Sequence, residues 1–225
     1  MSPLIVFAKG PTPGEVKTRL AEALGAEGAA EIYRAMARDT IRTACSTFDR
    51  VLLAYQPTRR FPDAAWLGSH AGVEVFMQTG RDLGEKLEHA FAYAFAQAPG
   101  PVMTIGSDLP LLTSSLLRDA AKRARETDVV LGPTHDGGYY LIGLSKPSPT
   151  LFKGIAWSTP HVWQSTIDRL REARLNHAEL MPLTDLDTLE DLRPWLHPDA
   201  WTRLAASFPE TAQALENCST SLNSR

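Results

Sequence analysis

The run Leu4-Ile5-Val6-Phe7-Ala8-Lys9-Gly10-Pro11-Thr12-Pro13-Gly14-Glu15-Val16-Lys17-Thr18-Arg19-Leu20 changes character twice. Its apolar, β-branched opening reads as a buried strand, its glycines and prolines as a tight loop, and its end as the start of a helix. A loop that leads from a strand into a helix N-terminus can aim backbone N–H groups at an anion, while nearby cations neutralise its charge. Ala8, Lys9, Gly10, Gly14, Lys17 and Arg19 are therefore candidate phosphate-binding residues. The alternative is a plain strand-to-helix turn with solvated cations, although basic residues in a first helical turn oppose the macrodipole unless an anion is present. The loop is not a Walker A motif, because Val16 rather than glycine precedes Lys17-Thr18, and Gly10 and Gly14 do not form a G-x-G-x-x-G fingerprint.

Beyond this run, short apolar segments alternate with segments of helical periodicity, the pattern of a mostly parallel α/β sheet. Strands are expected at 4–8, 51–55, 73–78, 102–106, 129–132, 139–144 and 179–183. Ala29, Ile32, Tyr33, Met36 and Thr40 share one helical face, as do Leu83, Leu87, Phe91 and Phe95, and each face is expected to cover the sheet. Thr113, Thr159 and Thr188 are expected helix N-caps, the last with Asp191 three residues on. Residues 199–217 read as one or two helices on the domain's edge, buried through Trp201, Leu204 and Phe208. The expected organisation is one domain over residues 1–217 followed by a flexible tail over 218–225.

Whole-chain properties narrow the function. A net charge of -3 in 225 residues offers no broad basic surface for nucleic acid. Cys45 and Cys218 lie far apart without C-x-x-C spacing, which fits neither a disulfide framework nor a zinc site. With no signal-like segment or run long enough to span a bilayer, a cytoplasmic location and no membrane partner are expected. His89, His161 and His177 are isolated and receive no role.

Three further motifs carry chemistry. Ile105-Gly106-Ser107-Asp108-Leu109-Pro110 places a carboxylate just beyond a buried strand, the edge at which open α/β sheets bind ligands. Asp108 is the first candidate ligand for Mg²⁺ or Mn²⁺, which are held by one or two carboxylates together with substrate phosphates; turn capping before Pro110 is the alternative. Asp136-Gly137-Gly138-Tyr139-Tyr140 reads in two ways. Gly137, Gly138 and Tyr139 suit an acceptor pocket with Asp136 as a base, and the same residues make an ordinary hairpin turn. Asp185-Leu186-Asp187-Thr188 offers a second metal carboxylate or, equally, a helix cap. Trp157 suits either a stacking surface or the core.

Taken in order, these four motifs resemble the bacterial DUF2064 group of glycosyltransferase-like proteins within the GT-A, nucleotide-diphospho-sugar transferase superfamily. The resemblance implies a three-layer α/β/α fold with a mostly parallel, Rossmann-like mixed sheet. It also implies a nucleotide over the N-terminal loop, phosphate binding at Lys17 and Arg19, and metal binding at Asp108 and Asp187, with Asp185 the competing second ligand. It shifts the Asp-Leu-Asp-Thr segment away from pure capping. Two features depart from familiar members: Gly106 occupies the position of the first aspartate in a D-x-D motif, and Pro11 and Pro13 replace a glycine-rich opening. The Lys17-Thr18-Arg19-Leu20 segment is similar to that of phospholactate guanylyltransferases. The expected function is metal-dependent transfer from a nucleotide sugar to a small-molecule acceptor. The alternatives are nucleotidyl transfer from a nucleoside triphosphate and, in another class, non-catalytic nucleotide binding. Oligomeric state is not readable from the sequence.

Overall fold

The computed structural model describes residues 2–97 and 99–223. Along the chain run β1 (Leu4–Lys9), α1 (Thr18–Thr47), β2 (Val51–Gln56), β3 (Val73–Met77), α2 (Leu83–Gln97), β4 (Val102–Ile105), α3 (Ser114–Glu126), β5 (Val129–Pro133), β6 (Tyr139–Leu144), α4 (Val162–Ala173), β7 (His177–Glu179), α5 (Leu189–Leu192), α6 (Pro198–Ala205) and α7 (Pro209–Asn223). The strands form one seven-stranded sheet in the order β3-β2-β1-β4-β6-β5-β7. Only β6 runs antiparallel to its neighbours; the remaining pairs are parallel. This is the mixed α/β sheet that the alternating pattern and the resemblance imply.

Continuous apolar strands mark a sheet covered on both sides. Successive residues of β1 prove it, for Leu4 and Val6 pack into one core cluster and Ile5 into the other. Ile41 and Ala44 of α1 and Leu117 and Ala120 of α3 close the first face. Leu87 and Phe91 of α2 and Ile167 and Leu170 of α4 close the second.

The expected face of α1 performs a different task. Ala29, Ile32 and Met36 pack against Leu204, Phe208 and Leu215 of the C-terminal helices, while Ala37, Ile41 and Ala44 meet the sheet. The helix is buried on two sides, so a one-stripe reading misassigned the sheet-facing residues. It also breaks at Gly25, whose φ of 76° is non-helical. Asp39, fully buried, fastens the arrangement by accepting hydrogen bonds from the backbone N–H and hydroxyl of Thr211, both at 2.7 Å.

Three other expectations are corrected. The last strand is His177–Glu179, two residues ahead of the expected start, because 177–179 pair with β5 whereas Met181 turns outward and Pro182 has no N–H to give. The chain touches the sheet again at Leu183, whose N–H donates to Pro133 O. Thr159 does not cap a helix: α4 begins at Val162, and the Thr159 hydroxyl accepts the His161 N–H in a local turn. Finally, α7 continues through Asn223, so residues 218–223 of the expected tail are helical; 224 and 225 lie outside the described residues. Thr113 and Thr188 do cap α3 and α5.

Candidate active site

Strand order reverses between β1 and β4, and the crevice beyond their C-terminal ends is where an open α/β sheet binds ligands. A cleft of about 570 Å³ lies there, walled by the ends of β1 and β2, the loops after β3 and β4, and Asp187 from the far end of the chain.

On its floor Lys17 Nζ donates to Asp108 Oδ2 at 2.8 Å and to Asp187 Oδ1 at 2.6 Å. The Lys17 side chain is 3% exposed, against 37% and 41% for the two carboxylates. Burial pulls the ammonium's pKa down, but Asp108 and Asp187 outweigh it, so Lys17 holds its proton more firmly than an ordinary lysine. Its backbone is strained as well, with φ 46° at the residue before α1. Beside this triad, burial first and the charge of Asp108 second push Asp185 up to about 7, and Asp185 Oδ1 is buried without a hydrogen-bond partner among the described residues.

Each carboxylate is delivered by a different device. Asp108 follows β4, with Ser107 beneath it bonded to Tyr33 Oη at 3.2 Å. Tyr33, reaching over from α1, also accepts the Lys9 N–H at 2.8 Å and donates to Lys9 O at 3.2 Å. One buried phenol thus ties the end of β1, the loop after β4 and α1 together, and burial raises its pKa to about 12. Asp187 precedes a capping box in which Thr188 Oγ1 accepts the Asp191 N–H at 3.3 Å and Asp191 Oδ2 accepts the Thr188 N–H at 2.8 Å. Capping and the presentation of Asp187 coexist, because the cap uses Thr188 and Asp191 and leaves the Asp187 side chain for the cleft.

Of the expected phosphate-binding residues of the N-terminal loop, Ala8, Lys9 and Lys17 line the cleft, and Glu15 and Val16 join them there. Lys9 Nζ is turned onto Glu15, donating to its backbone O at 3.0 Å. Gly10 is small for another reason: a Cβ there would lie 2.8 Å from Phe61 Cβ, against the loop after β2. Gly14, at φ 79°, faces open space and makes the turn. Arg19 is exposed, and its charge is felt by Asp191.

The structure places the Asp136 motif in the turn of the β5–β6 hairpin. Asp136 Oδ1 accepts from Thr134 Oγ1 at 2.6 Å and from the Gly138 N–H at 3.1 Å. Gly137 lies tight against the carbonyl of Pro160, and its own carbonyl accepts the Trp163 N–H at 2.8 Å. Tyr139 points into the sheet's second core, edge-on to Trp157, with a buried hydroxyl. Asp136, Gly137, Gly138 and Tyr139 are therefore not in the cleft wall, and the charge of Asp136 contributes to raising the Asp185 pKa.

Sequence reading missed Tyr33 as a site residue, along with Gln56, Gln78, Asp82, Leu83, Lys86 and Ser158, all in the cleft wall. Gln78 Nε2 donates to Ala8 O at 3.1 Å and Ala54 O at 2.9 Å, closing the ends of β1 and β2. Lys86 Nζ donates to Gln56 Oε1 at 2.8 Å. The available signal was positional: Gln78-Thr79-Gly80-Arg81-Asp82-Leu83-Gly84 is a second glycine-bearing loop from a parallel strand into a helix.

A divalent cation fits this donor set. Two carboxylate oxygens already converge on one cationic nitrogen, a third carboxylate nearby keeps an orphaned oxygen, and hard cations of this kind complete their shell with substrate phosphates and water. Among the described residues no group of three or more His, Cys, Asp or Glu side chains forms a ready-made metal cage.

Comparison with known proteins agrees with this architecture. A crystal structure from Desulfovibrio desulfuricans G20, provisionally named a nucleotide-diphospho-sugar transferase, is similar over 100% of this chain and 98% of its own, at 33% identity and a TM-score of 0.87. The fold is shared with 4-diphosphocytidyl-2C-methyl-D-erythritol synthase from Anaerococcus prevotii DSM 20548 (10% identity, 85% and 94% coverage, TM-score 0.58). It is shared too with the manganese complex of Rv0371c from Mycobacterium tuberculosis H37Rv (17% identity, 86% and 97% coverage, TM-score 0.53). No curated protein sequence matches the chain. The family described as "uncharacterized protein conserved in bacteria (DUF2064)" matches residues 40–159, more than half of the sequence, and the chain belongs to that family.

Proposed function

We propose that the chain is a transferase that uses an activated nucleotide, bound in the cleft together with Mg²⁺ or Mn²⁺ held by Asp108 and Asp187. The balance of charge in the cleft wall carries this reading. Lys9, Lys17 and Lys86 face Glu15, Asp82, Asp108 and Asp187, three cations against four carboxylates. A bare diphosphate or triphosphate would meet a net negative wall, so its binding requires an added cation. The fold neighbour Rv0371c was crystallised with manganese, which supports the choice of metal class. Asp108 and Asp187 would hold the cation, whose chemistry would be to neutralise phosphate charge, including the charge that develops on the leaving group. Lys17, Lys9 and Lys86 would stabilise that charge from the protein side.

Nucleotidyl transfer is the reaction type that the geometry supports best. Asp108 lacks a D-x-D partner and is joined by a carboxylate from a distant loop, with a lysine between them. The 4-diphosphocytidyl-2C-methyl-D-erythritol synthase of the same fold is named for the cytidylyl group in its product. In this reaction an acceptor oxygen forms a bond to the α-phosphorus, the bond to the bridging oxygen breaks, and pyrophosphate leaves. The acceptor's proton would pass to solvent in the cleft, because Asp136, the expected base, lies outside the cleft wall with its Oδ1 held by the hairpin turn. Glycosyl transfer is favoured by one observation, the provisional name of the 33% identical relative. There an acceptor would attack the anomeric carbon and the nucleoside diphosphate would leave. The same cleft serves either donor, with a small-molecule acceptor.

Phosphorus NMR of the purified protein with each nucleoside triphosphate or nucleotide sugar, Mg²⁺ or Mn²⁺, and a panel of small phosphate, carboxylate and hydroxyl acceptors separates the readings. Pyrophosphate release supports nucleotidyl transfer, and nucleoside diphosphate release supports glycosyl transfer. Absence of metal-dependent binding of either donor class by calorimetry overturns both.

A further inference from the structure

We infer that Lys17 is a built-in counter-ion that holds the metal position until a nucleotide arrives, so that cation and nucleotide bind as a coupled pair. The inference rests on the reading of Asp108 and Asp187 as metal ligands.

The argument begins with where the ammonium lies. A phosphate-binding lysine poised for an incoming anion would project into the cleft. Lys17 instead lies flat on its floor, with its side chain 3% exposed and Nζ 2.8 Å from Asp108 and 2.6 Å from Asp187. It therefore occupies the point on which the two carboxylates converge. A divalent cation and an ammonium cannot share that point, because like charges at contact distance repel strongly even at the effective dielectric of a protein surface. Binding the metal must displace Nζ.

Where Nζ can go decides the coupling. Without a nucleotide, the displaced ammonium loses both carboxylate partners, and the other charges lining the cleft include two further lysines, Lys9 and Lys86, as well as Glu15 and Asp82. Glu15 is already engaged by Lys9, at 3.5 Å, and Asp82 caps the Glu85 N–H at 2.9 Å. A nucleotide supplies the missing anion. Lys17 then exchanges two carboxylates for phosphate oxygens, using the free rotation of its four-carbon stem. Each ligand thus removes the cost that the other would meet alone, and by linkage the enhancement is the same in both directions. The left-handed φ of 46° at Lys17 fits this account, because strain at a non-glycine residue is kept where a site needs one particular placement of its side chain.

The test compares wild type with Lys17→Met, which keeps the length of the stem and removes the charge. Titration of Mn²⁺ alone, followed by the loss of its free paramagnetic resonance signal, is expected to show weak binding by wild type and binding at least about tenfold tighter by Lys17→Met, within the 5–150-fold range of ordinary site coupling. Titration of a nucleotide at saturating Mn²⁺ should show the opposite order, with the variant weaker. Circular dichroism and the thermal midpoint establish that both proteins are folded. If wild type binds bare Mn²⁺ as tightly as the variant, the counter-ion role is wrong while the metal reading stands. If neither protein binds Mn²⁺, with or without any nucleotide, and Asp108→Ala and Asp187→Ala change nothing, the metal reading itself falls.

Discussion

The ammonium of Lys17 lies 2.6 Å from Asp187 Oδ1, although the two residues are 170 positions apart in the chain. One end of that contact is set by the loop after β1 and the other by the capping box of α5, a helix of only four residues. The box is therefore part of the site's support without being part of the cleft. Thr188→Ala removes the cap bond to the Asp191 N–H and is expected to cost about 1 kcal/mol of stability, the usual loss for an N-cap threonine. Because Asp187 is the next residue, the same substitution should weaken metal-dependent nucleotide binding severalfold. A denaturant titration beside a calorimetric titration measures both; a stability loss with unchanged binding would show that Asp187 is held by other contacts.

Tyr33 is the second support. Its hydroxyl serves Lys9 on both backbone atoms and Ser107, and all of this lies beneath Asp108. Tyr33→Phe keeps the ring and leaves the Lys9 N–H without its partner, a loss expected to be about 1–3 kcal/mol for a buried donor. Urea unfolding should show a lower midpoint at unchanged slope, since no surface is newly exposed. A midpoint equal to wild type would mean that water replaces the phenol at the end of β1.

How far the sequence carried depends on the range of the forces involved. The strand-loop-helix run at 4–20, the carboxylate after β4 and the capping box at Thr188 are local, and each was readable because its signal lies within a few residues. The pairing of Lys17 with Asp108 and Asp187 joins three distant segments, so sequence could nominate the residues but not show that they neutralise one another. Two-sided burial of α1 confused a reading built on a single stripe, because Ala29, Ile32 and Met36 look the same whether they meet a sheet or another helix. Gly137 suits either ligand space or a hairpin turn on sequence alone, and the structure shows the turn, packed against the carbonyl of Pro160; Gly10, a phosphate-binding candidate, packs against the loop at Phe61. A glycine reports close approach and does not say of what.

Asp39 tests the architecture away from the cleft. It is fully buried in α1, accepts two hydrogen bonds from Thr211 at the start of α7, and pairs with Arg42. Asp39→Ala leaves the Thr211 N–H unpaired and loosens the attachment of α7 to α1, which Ala29, Ile32 and Met36 still hold by packing, with an expected cost of about 3 kcal/mol, at the low end for a broken buried pair. The thermal midpoint should fall by several degrees, while nucleotide affinity measured well below that midpoint stays within about twofold of wild type, consistent with the long-distance additivity of independent sites. A large loss of affinity in the folded variant would instead tie the packing of α7 to the cleft through α1.

Asp185 poses the opposite case, a residue whose removal should stabilise the fold. Its carboxylate is buried near Asp108, Asp136 and Asp187, and among the described residues its Oδ1 has no hydrogen-bond partner, so the charged form is unfavourable even with Lys17 to offset it. Asp185→Asn keeps the shape and removes the repulsion. Each ~1 kcal/mol recovered should raise the midpoint of the metal-free protein by about 2–4 °C for a chain of this size. Added metal and nucleotide should then stabilise the variant less than they stabilise wild type, because a site that gathers carboxylates for a cation is strained until the cation is bound. A scan of both proteins with chelator and then with Mn²⁺ and nucleotide decides the matter. If Asp185→Asn lowers the midpoint in chelator, the carboxylate holds the loop before α5 in place, and its burial serves the fold rather than the site.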